Sequence, residues 1–299
     1  MKKLFTLIFI GLCFVSTVYA DKLSEHKKVI DPKLNNADAY FNRGLSYFNS
    51  KQYQKAIVDY TRSIELNSQN ARTYINRASV YYQLGQYQNA IEDCNKAIEI
   101  DPKNALAYHN RGCVYRDMGQ YQKAIEDCNK VIKLNPDFII VAYYYRGIVY
   151  YMSGQYMRAI DDFNRAIKLN PGISEVYCNR GAVYEKLGQH QKAIDDFNKS
   201  IELNSGYALA YCNRGASYGQ LGQYQKAVED LSKATNLDPK CGDAYYNFAC
   251  FYSLRGKKSQ AFFNLKIAID LDKKYKNMAK TDKDFKNLWD DPDFKKLTK

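Results

Sequence analysis

The sequence predicts an all-α protein built from stacked helix-turn-helix pairs that form a solenoid, and three observations predict it. The chain repeats itself about every 34 residues, each repeat holds two amphipathic segments, and a turn usually centred on glycine separates the two. At 46% hydrophobic and 25% charged, the 299 residues hold enough apolar material for a core, which excludes wholesale disorder. Tyrosine is the anomaly, with 28 copies against 14 Phe and one Trp. Such a bias is what a short unit copied many times leaves behind.

In chain order, the first element stands apart from the repeat. Lys2 and Lys3 open the chain, Leu4 to Val18 is almost wholly apolar, and Val18-Tyr19-Ala20 puts small residues where a signal peptidase reads. This pattern predicts a secretory signal over 1–20, cleaved after Ala20, and hence an exported protein, periplasmic or secreted. The alternative is an uncleaved anchor, but about 15 apolar residues fall short of the roughly 20 that span a bilayer. Cleavage lowers the formal charge from +12 to +10 by removing the two lysines. No later stretch approaches transmembrane length. A lead segment, 21–36, carries only a weak helical signal.

Alignment on Gly44, Ala78, Gly112, Gly147, Gly181, Gly215 and Ala249 then gives seven units: 37–70, 71–104, 105–139, 140–173, 174–207, 208–241 and 242–275. A Tyr lies four residues before each of these small residues and another three after it, from Tyr40 and Tyr47 to Tyr245 and Tyr252. An Ala follows twelve later, from Ala56 to Ala261. Intervals of four and three put Tyr, Gly and Tyr on one helical face. Gly85-Gln86-Tyr87-Gln88 typifies the turn, where Gly ends the first helix. A second amphipathic segment such as Asn89 to Ile100 follows, and Asp101-Pro102 closes the unit. Small residues at positions 8 and 20 let the two helices approach closely, and stacked neighbours bury what a single pair cannot.

With its 34-residue period and its small residue, Tyr, Ala and Pro in place, the stretch 37–275 resembles the tetratricopeptide repeat (TPR) family. The resemblance implies a right-handed superhelical solenoid whose first helices line a concave surface. Departures are few. Lys51 stands where the first turn should carry Gly, Ser68 and Ser205 replace Pro, one residue is inserted near Phe138, and the seventh unit is degenerate. After it, 276–299 is Lys-rich and amphipathic through Phe285, Leu288, Trp289, Phe294 and Leu297, which predicts a capping helix or, alternatively, a binding tail.

Comparing the seven copies isolates a pair of charges. Arg precedes the small residue in six units (Arg43, Arg77, Arg111, Arg146, Arg180, Arg214), and Asp stands three after the Ala in the same six (Asp59, Asp93, Asp127, Asp162, Asp196, Asp230). The seventh changes both together, to Phe248 and Asn264. This covariation predicts a structural ion pair between the two helices of each unit. The alternative is a row of arginines facing anionic ligands.

The family resemblance further implies that positions 2, 5, 6, 9, 12 and 13 of each unit face the groove. Position 6 is Asn42, Asn76, Asn110, Asn179, Asn213 and Asn247, with Tyr145 as the exception. A carboxamide donates and accepts as a peptide unit does, so a row of them suits the backbone of an extended segment. The alternative is that they fill the surface or bond to neighbouring helices. Tyr144, Tyr145, Tyr151 and Met152 form an expected apolar anchor, and the fifth positions Phe41, Ile75, His109, Tyr144, Cys178, Cys212 and Tyr246 contain no Lys. The clamp with which some relatives grip the carboxylate tails of chaperones is therefore not expected, and a neutral or apolar partner segment is.

The remaining charge is spread by the repeat. Lys55, Lys123, Lys192 and Lys226 map to second helices among Glu and Asp, a solvated face and not a nucleic-acid groove. Seven Cys remain after cleavage, with Cys94 and Cys128 as core fillers and Cys113 and Cys250 expected at groove position 9. No C-x-x-C, metal-ligand spacing, phosphate loop or paired nucleophile is present, so no cofactor or metal is expected and the chain reads as a non-enzymatic protein-binding scaffold. The alternative reading is a non-catalytic subunit of an envelope enzyme or secretion complex, or a secreted factor acting on host proteins.

Overall fold

A computed structural model describes residues 36–299; the expected signal peptide and all but the last residue of the lead segment lie outside the described residues. Backbone contacts divide the described chain into two compact bodies, one ending at Ala166 and one beginning at Ile167. The described residues contain sixteen α-helices, two 3-10 turns and no strand.

The first body contains α1 (Ala37–Asn49), α2 (Tyr53–Leu66), α3 (Ala71–Gln83), α4 (Tyr87–Ile100), α5 (Ala105–Asp117), α6 (Tyr121–Leu134), α7 (Ile139–Met152) and most of α8 (Tyr156–Leu169). Asn36, Asn70 and Asn104 cap α1, α3 and α5 by accepting from the Ala39, Arg72 and Ala107 N–H groups. The inserted residue is absorbed by a 3-10 turn, Pro136–Phe138, whose Phe138 packs with Val131 and Ala142 so that α7 resumes the pattern.

Each turn glycine from Gly85 to Gly256 adopts φ between 67° and 78°, and a Cβ there would meet nothing within 4 Å. Glycine is thus favoured for its dihedral alone. Lys51 takes the same left-handed conformation at φ 58°, a strained choice for a residue with a side chain.

Position 8 has a different reason to be small. A Cβ on Gly147 would lie 2.7 Å from the Phe163 ring, and one on Gly181 2.7 Å from the Phe197 ring. Where the facing residue is Cys94 or Leu265, position 8 is Ala78 or Ala249, whereas Gly112 and Gly215 accompany Cys128 and Leu231, so Gly is required only opposite the aromatic rings.

The second body contains α9 (Ser174–Lys186), α10 (His190–Leu203), α11 (Ala208–Gln220), α12 (Tyr224–Leu237), α13 (Gly242–Leu254) and α14 (Lys258–Leu271). The chain then makes α15 (Lys274–Ala279), a 3-10 turn (Lys283–Leu288) and α16 (Pro292–Thr298). Three short elements replace the single closing helix expected from sequence, because Asp282 and Asp291 accept from backbone N–H groups just beyond them and restart the chain twice. Tyr275, Phe285, Leu288 and Phe294 share one core with Tyr246, Ala249, Cys250 and Leu265.

Candidate binding surface

The residues singled out by the repeat separate into three arrangements. The first is the ion pairs. All six arginines meet their aspartates through two hydrogen bonds each, at 2.6–2.9 Å. The sequence comparison did not reveal a further donation from the same guanidinium. Nη1 of Arg77, Arg111 and Arg214 donates to Thr61, Asn95 and Asn198 of the preceding unit at 2.6–2.9 Å, and Arg146 reaches Asn129 likewise. Recurring polar residues two positions after the Asp were the available signal. Each such arginine therefore joins its own pair of helices to the pair before it.

Tyr at positions 4 and 11 completes this arrangement, with guanidinium-to-ring distances of 5.2–6.0 Å. Burial pulls the Arg111 guanidinium down, but the Asp127 hydrogen bonds and charge more than offset it and leave it raised. Burial also pushes the Asp127 carboxyl up, against the opposing effect of Arg111. Desolvation and attraction thus oppose each other at both partners, and a pair of this kind is costly to break singly. In the seventh unit Phe248 stacks on Tyr252 at 6.0 Å and Asn264 donates to the Gln260 carbonyl, so neither partner is left charged.

Position 5 is the second arrangement, and here the expected groove assignment is corrected. Phe41, Ile75, His109, Cys178, Cys212 and Tyr246 are buried. Ile75 packs on Ala107, Cys178 on Ala210 and Cys212 on Ala244, each the third residue of the following unit. Adjacent first helices meet through this position. Tyr246 has no following repeat and instead donates its hydroxyl to Asp282 of the closing segment at 2.9 Å. Position 9 follows it indoors: Cys113 and Cys250 are both buried, and Cys113 Sγ lies 3.7 Å from His109 Nε2, one turn away on α5.

The asparagines at position 6 are the third. Asn42 is exposed, Asn76 is half-buried, and Asn110, Asn179, Asn213 and Asn247 are buried. Their amides are not all free, as an open row would require. Asn76 donates to the Arg72 carbonyl of its own helix, whereas Asn110 donates to Ser79 Oγ at 3.3 Å, and Asn213 and Asn247 point at Cys178 and Cys212 Sγ at 3.7 and 3.5 Å. One amide proton in each of the last three thus fixes the carboxamide to the preceding first helix. The Asn110 carbonyl oxygen is buried with no hydrogen-bond partner in the protein.

The expected anchor is corrected in part. Tyr145 is buried, 5.1 Å edge-on from His109 and 4.9 Å from the Arg116 guanidinium, so it belongs to the packing between α5 and α7. Tyr144 and Tyr151 lean on Phe163 and Tyr156, and with Met152 they stay half-buried. Glu185 on α9 is buried between His190 at 2.8 Å and the Ser217 hydroxyl at 2.6 Å. Among the described residues no cluster of three metal-ligating side chains occurs, and no helix is long and apolar enough to cross a membrane.

A family model for the tetratricopeptide repeat matches residues 37–70, 71–104, 105–138, 140–173, 174–207 and 208–241, six units and about two thirds of the chain. The seventh pair of helices lies beyond that match. A tetratricopeptide repeat protein from Parabacteroides merdae is 20% identical, with a TM-score of 0.68 over 88% of this chain and 98% of that one. The type IV pilus biogenesis factor PilW is 18% identical, with a TM-score of 0.64 over 70% of this chain and 96% of that one. YrrB, described as a TPR protein with an unusual peptide-binding site, is 28% identical over 62% of this chain and 96% of that one, at a TM-score of 0.48. No curated protein matches the chain.

Proposed function

Because the chain belongs to the tetratricopeptide repeat family, we propose that it is a non-enzymatic scaffold whose first-helix faces hold an extended, neutral or apolar segment of a partner protein. The observation that carries this reading is the Asn110 carboxamide. Its nitrogen is oriented by Ser79, and its oxygen is an acceptor buried without a donor. Such an atom costs roughly 1–3 kcal/mol while it is unpaired. A peptide N–H supplies the missing donor once the side chains that cover this oxygen turn aside, and the second amide proton of the same side chain can then meet a peptide carbonyl. Asn76 in the first body, and Asn179 and Asn213 in the second, place a carboxamide at the same position of their units. The half-buried Tyr144, Tyr151 and Met152 supply apolar contact.

The missing lysines at position 5 argue against a carboxylate tail as ligand, and burial of that position removes the place where a clamp would form. The basic charge lies among acidic residues on the second helices, which argues against nucleic acid.

The test is affinity capture from the native envelope fraction, followed by mass spectrometry, using wild type and two variants: Asn76→Ala with Asn110→Ala, and Asn179→Ala with Asn213→Ala. The same partner should be captured by the wild type and lost in at least one variant that still folds. Undiminished capture by both variants removes the asparagines from the mechanism. A capture dominated by one enzyme or secretion assembly would identify the chain as a non-catalytic subunit. The proposed export, with cleavage after Ala20, rests on the sequence and is checked by the N-terminal sequence of the native protein.

A further inference from the structure

Cys212 and Cys241 are a pair of thiols that no part of the repeat explains. Cys212 is position 5 of the sixth unit, on α11, and is fully buried in a cluster with Leu231, Ala234, Ala244 and Phe248. Cys241 is the last residue of the same unit, at the N-cap of α13, half-buried and packed against that cluster. The two side chains are neighbours in this one cluster. The register is a property of the fold. One unit earlier, Tyr207, the last residue of its unit, packs on the cluster that contains Cys178 at position 5. Only the sixth unit places a thiol at both positions.

We infer that Cys212 and Cys241 form a redox-active pair that closes to a disulfide by exchange with a small disulfide such as oxidised glutathione. Access comes from a cleft of about 480 Å³ lined by Tyr207, Lys240, Cys241, Asp243, Lys274 and Tyr275, which reaches Cys241 and not Cys212. The thiols are unequal in the required sense. The contact with Cys212, and after it the Ala244 backbone N–H, holds the Cys241 thiol below its ordinary value, whereas the same contact and then burial push Cys212 up.

Cys241 is therefore the attacking group. Its thiolate attacks one sulfur of RSSR, the S–S bond breaks, and RS⁻ leaves with the electron pair. Cys212 then loses its proton, its sulfur attacks Cys241 Sγ, and the second RS⁻ leaves. Two protein thiols are oxidised, RSSR is reduced to two RSH, and the protons released from the thiols pass to the two RS⁻. The bridge ties α11 to the start of α13, the first helices of the sixth and seventh units.

The experiment incubates the folded full chain with oxidised glutathione, alkylates the remaining thiols and maps peptides by mass spectrometry. Expected is a Cys212–Cys241 linked peptide lacking two hydrogens, with Cys94, Cys113, Cys128, Cys178 and Cys250 alkylated. In Cys212→Ser, glutathione should stay attached to Cys241; in Cys241→Ser, Cys212 should stay unmodified. The oxidised wild type should melt roughly 5–10 °C higher than the reduced form, reversibly on addition of dithiothreitol. Full alkylation of Cys212 and Cys241, a different pairing, or a stable glutathione adduct on Cys241 of the wild type would each overturn the inference.

Discussion

Replacing Arg111 with Phe and Asp127 with Asn copies into the third unit what the seventh already carries. In Arg111→Phe alone, the Asp127 side chain, 5% exposed, loses both guanidinium hydrogen bonds while keeping its charge. Breaking a buried pair from one side costs about 3–5 kcal/mol. The Asn95 oxygen loses its donor at the same time. In Asp127→Asn alone, the guanidinium keeps Asn95 and some water, being 19% exposed, so the cost is about 2–3 kcal/mol, the worth of hydrogen bonds to a charged group.

The double variant leaves no buried charge, and Phe can pack on Tyr115 as Phe248 packs on Tyr252. Its cost should be about 1–2 kcal/mol, less than either single change and far below their sum. Urea unfolding of the full chain followed by circular dichroism measures this cycle, with the slope checked for loss of two-state behaviour. Additivity within about 0.5 kcal/mol would refute the reasoning. In the first unit Asp59→Asn should cost only about 1 kcal/mol, because the Arg43 side chain it strands is 43% exposed and water solvates it.

Two further predictions concern small residues. Gly181→Ala drives a Cβ to 2.7 Å from the Phe197 ring and 3.1 Å from the Ala193 carbonyl, and should destabilise by about 1–2 kcal/mol. Gly112→Ala meets only Asp127 Cβ at 3.3 Å and the Ala124 carbonyl at 3.6 Å, so the better helix propensity of Ala should bring the change close to neutral. Lys51→Gly should raise stability by up to about 1 kcal/mol by relieving the left-handed backbone, and Gly119→Ala should lower it by about as much. Melting midpoints of the four variants, compared with wild type, decide both.

What could be read from the sequence was whatever recurs in register. The helix pairs, the turn glycines, Lys51 as the exception and the Arg–Asp partners all follow from comparing seven copies, because covariation of Phe248 with Asn264 needs no structure to be seen. What escaped depends on the geometry between units. Periodicity places Ile75, Cys178 and Cys212 on an inward-facing helical stripe, but it does not tell a groove from the seam between adjacent first helices. Only packing against Ala107, Ala210 and Ala244 assigns them to the seam. Tyr145 is ambiguous in sequence for the same reason, since an aromatic residue in a row of asparagines has the pattern of an anchor, and only the packing of His109 and Arg116 against it places it indoors. Cys241 carries no periodic signal, because no other unit has Cys at its last position.

The central claim is that position-6 carboxamides read the backbone of an extended segment and not its side chains. The most direct measurement takes a ten-residue peptide selected for binding to the full chain and compares two series by fluorescence anisotropy. One replaces side chains singly with Ala, and the other methylates alternate backbone nitrogens. The account predicts losses of tenfold or more on methylation and less than about threefold for most alanine changes, with methylation mattering little once Asn76 and Asn110, or Asn179 and Asn213, are replaced by Ala. Retained affinity on methylation, with large losses in the alanine series, would contradict it.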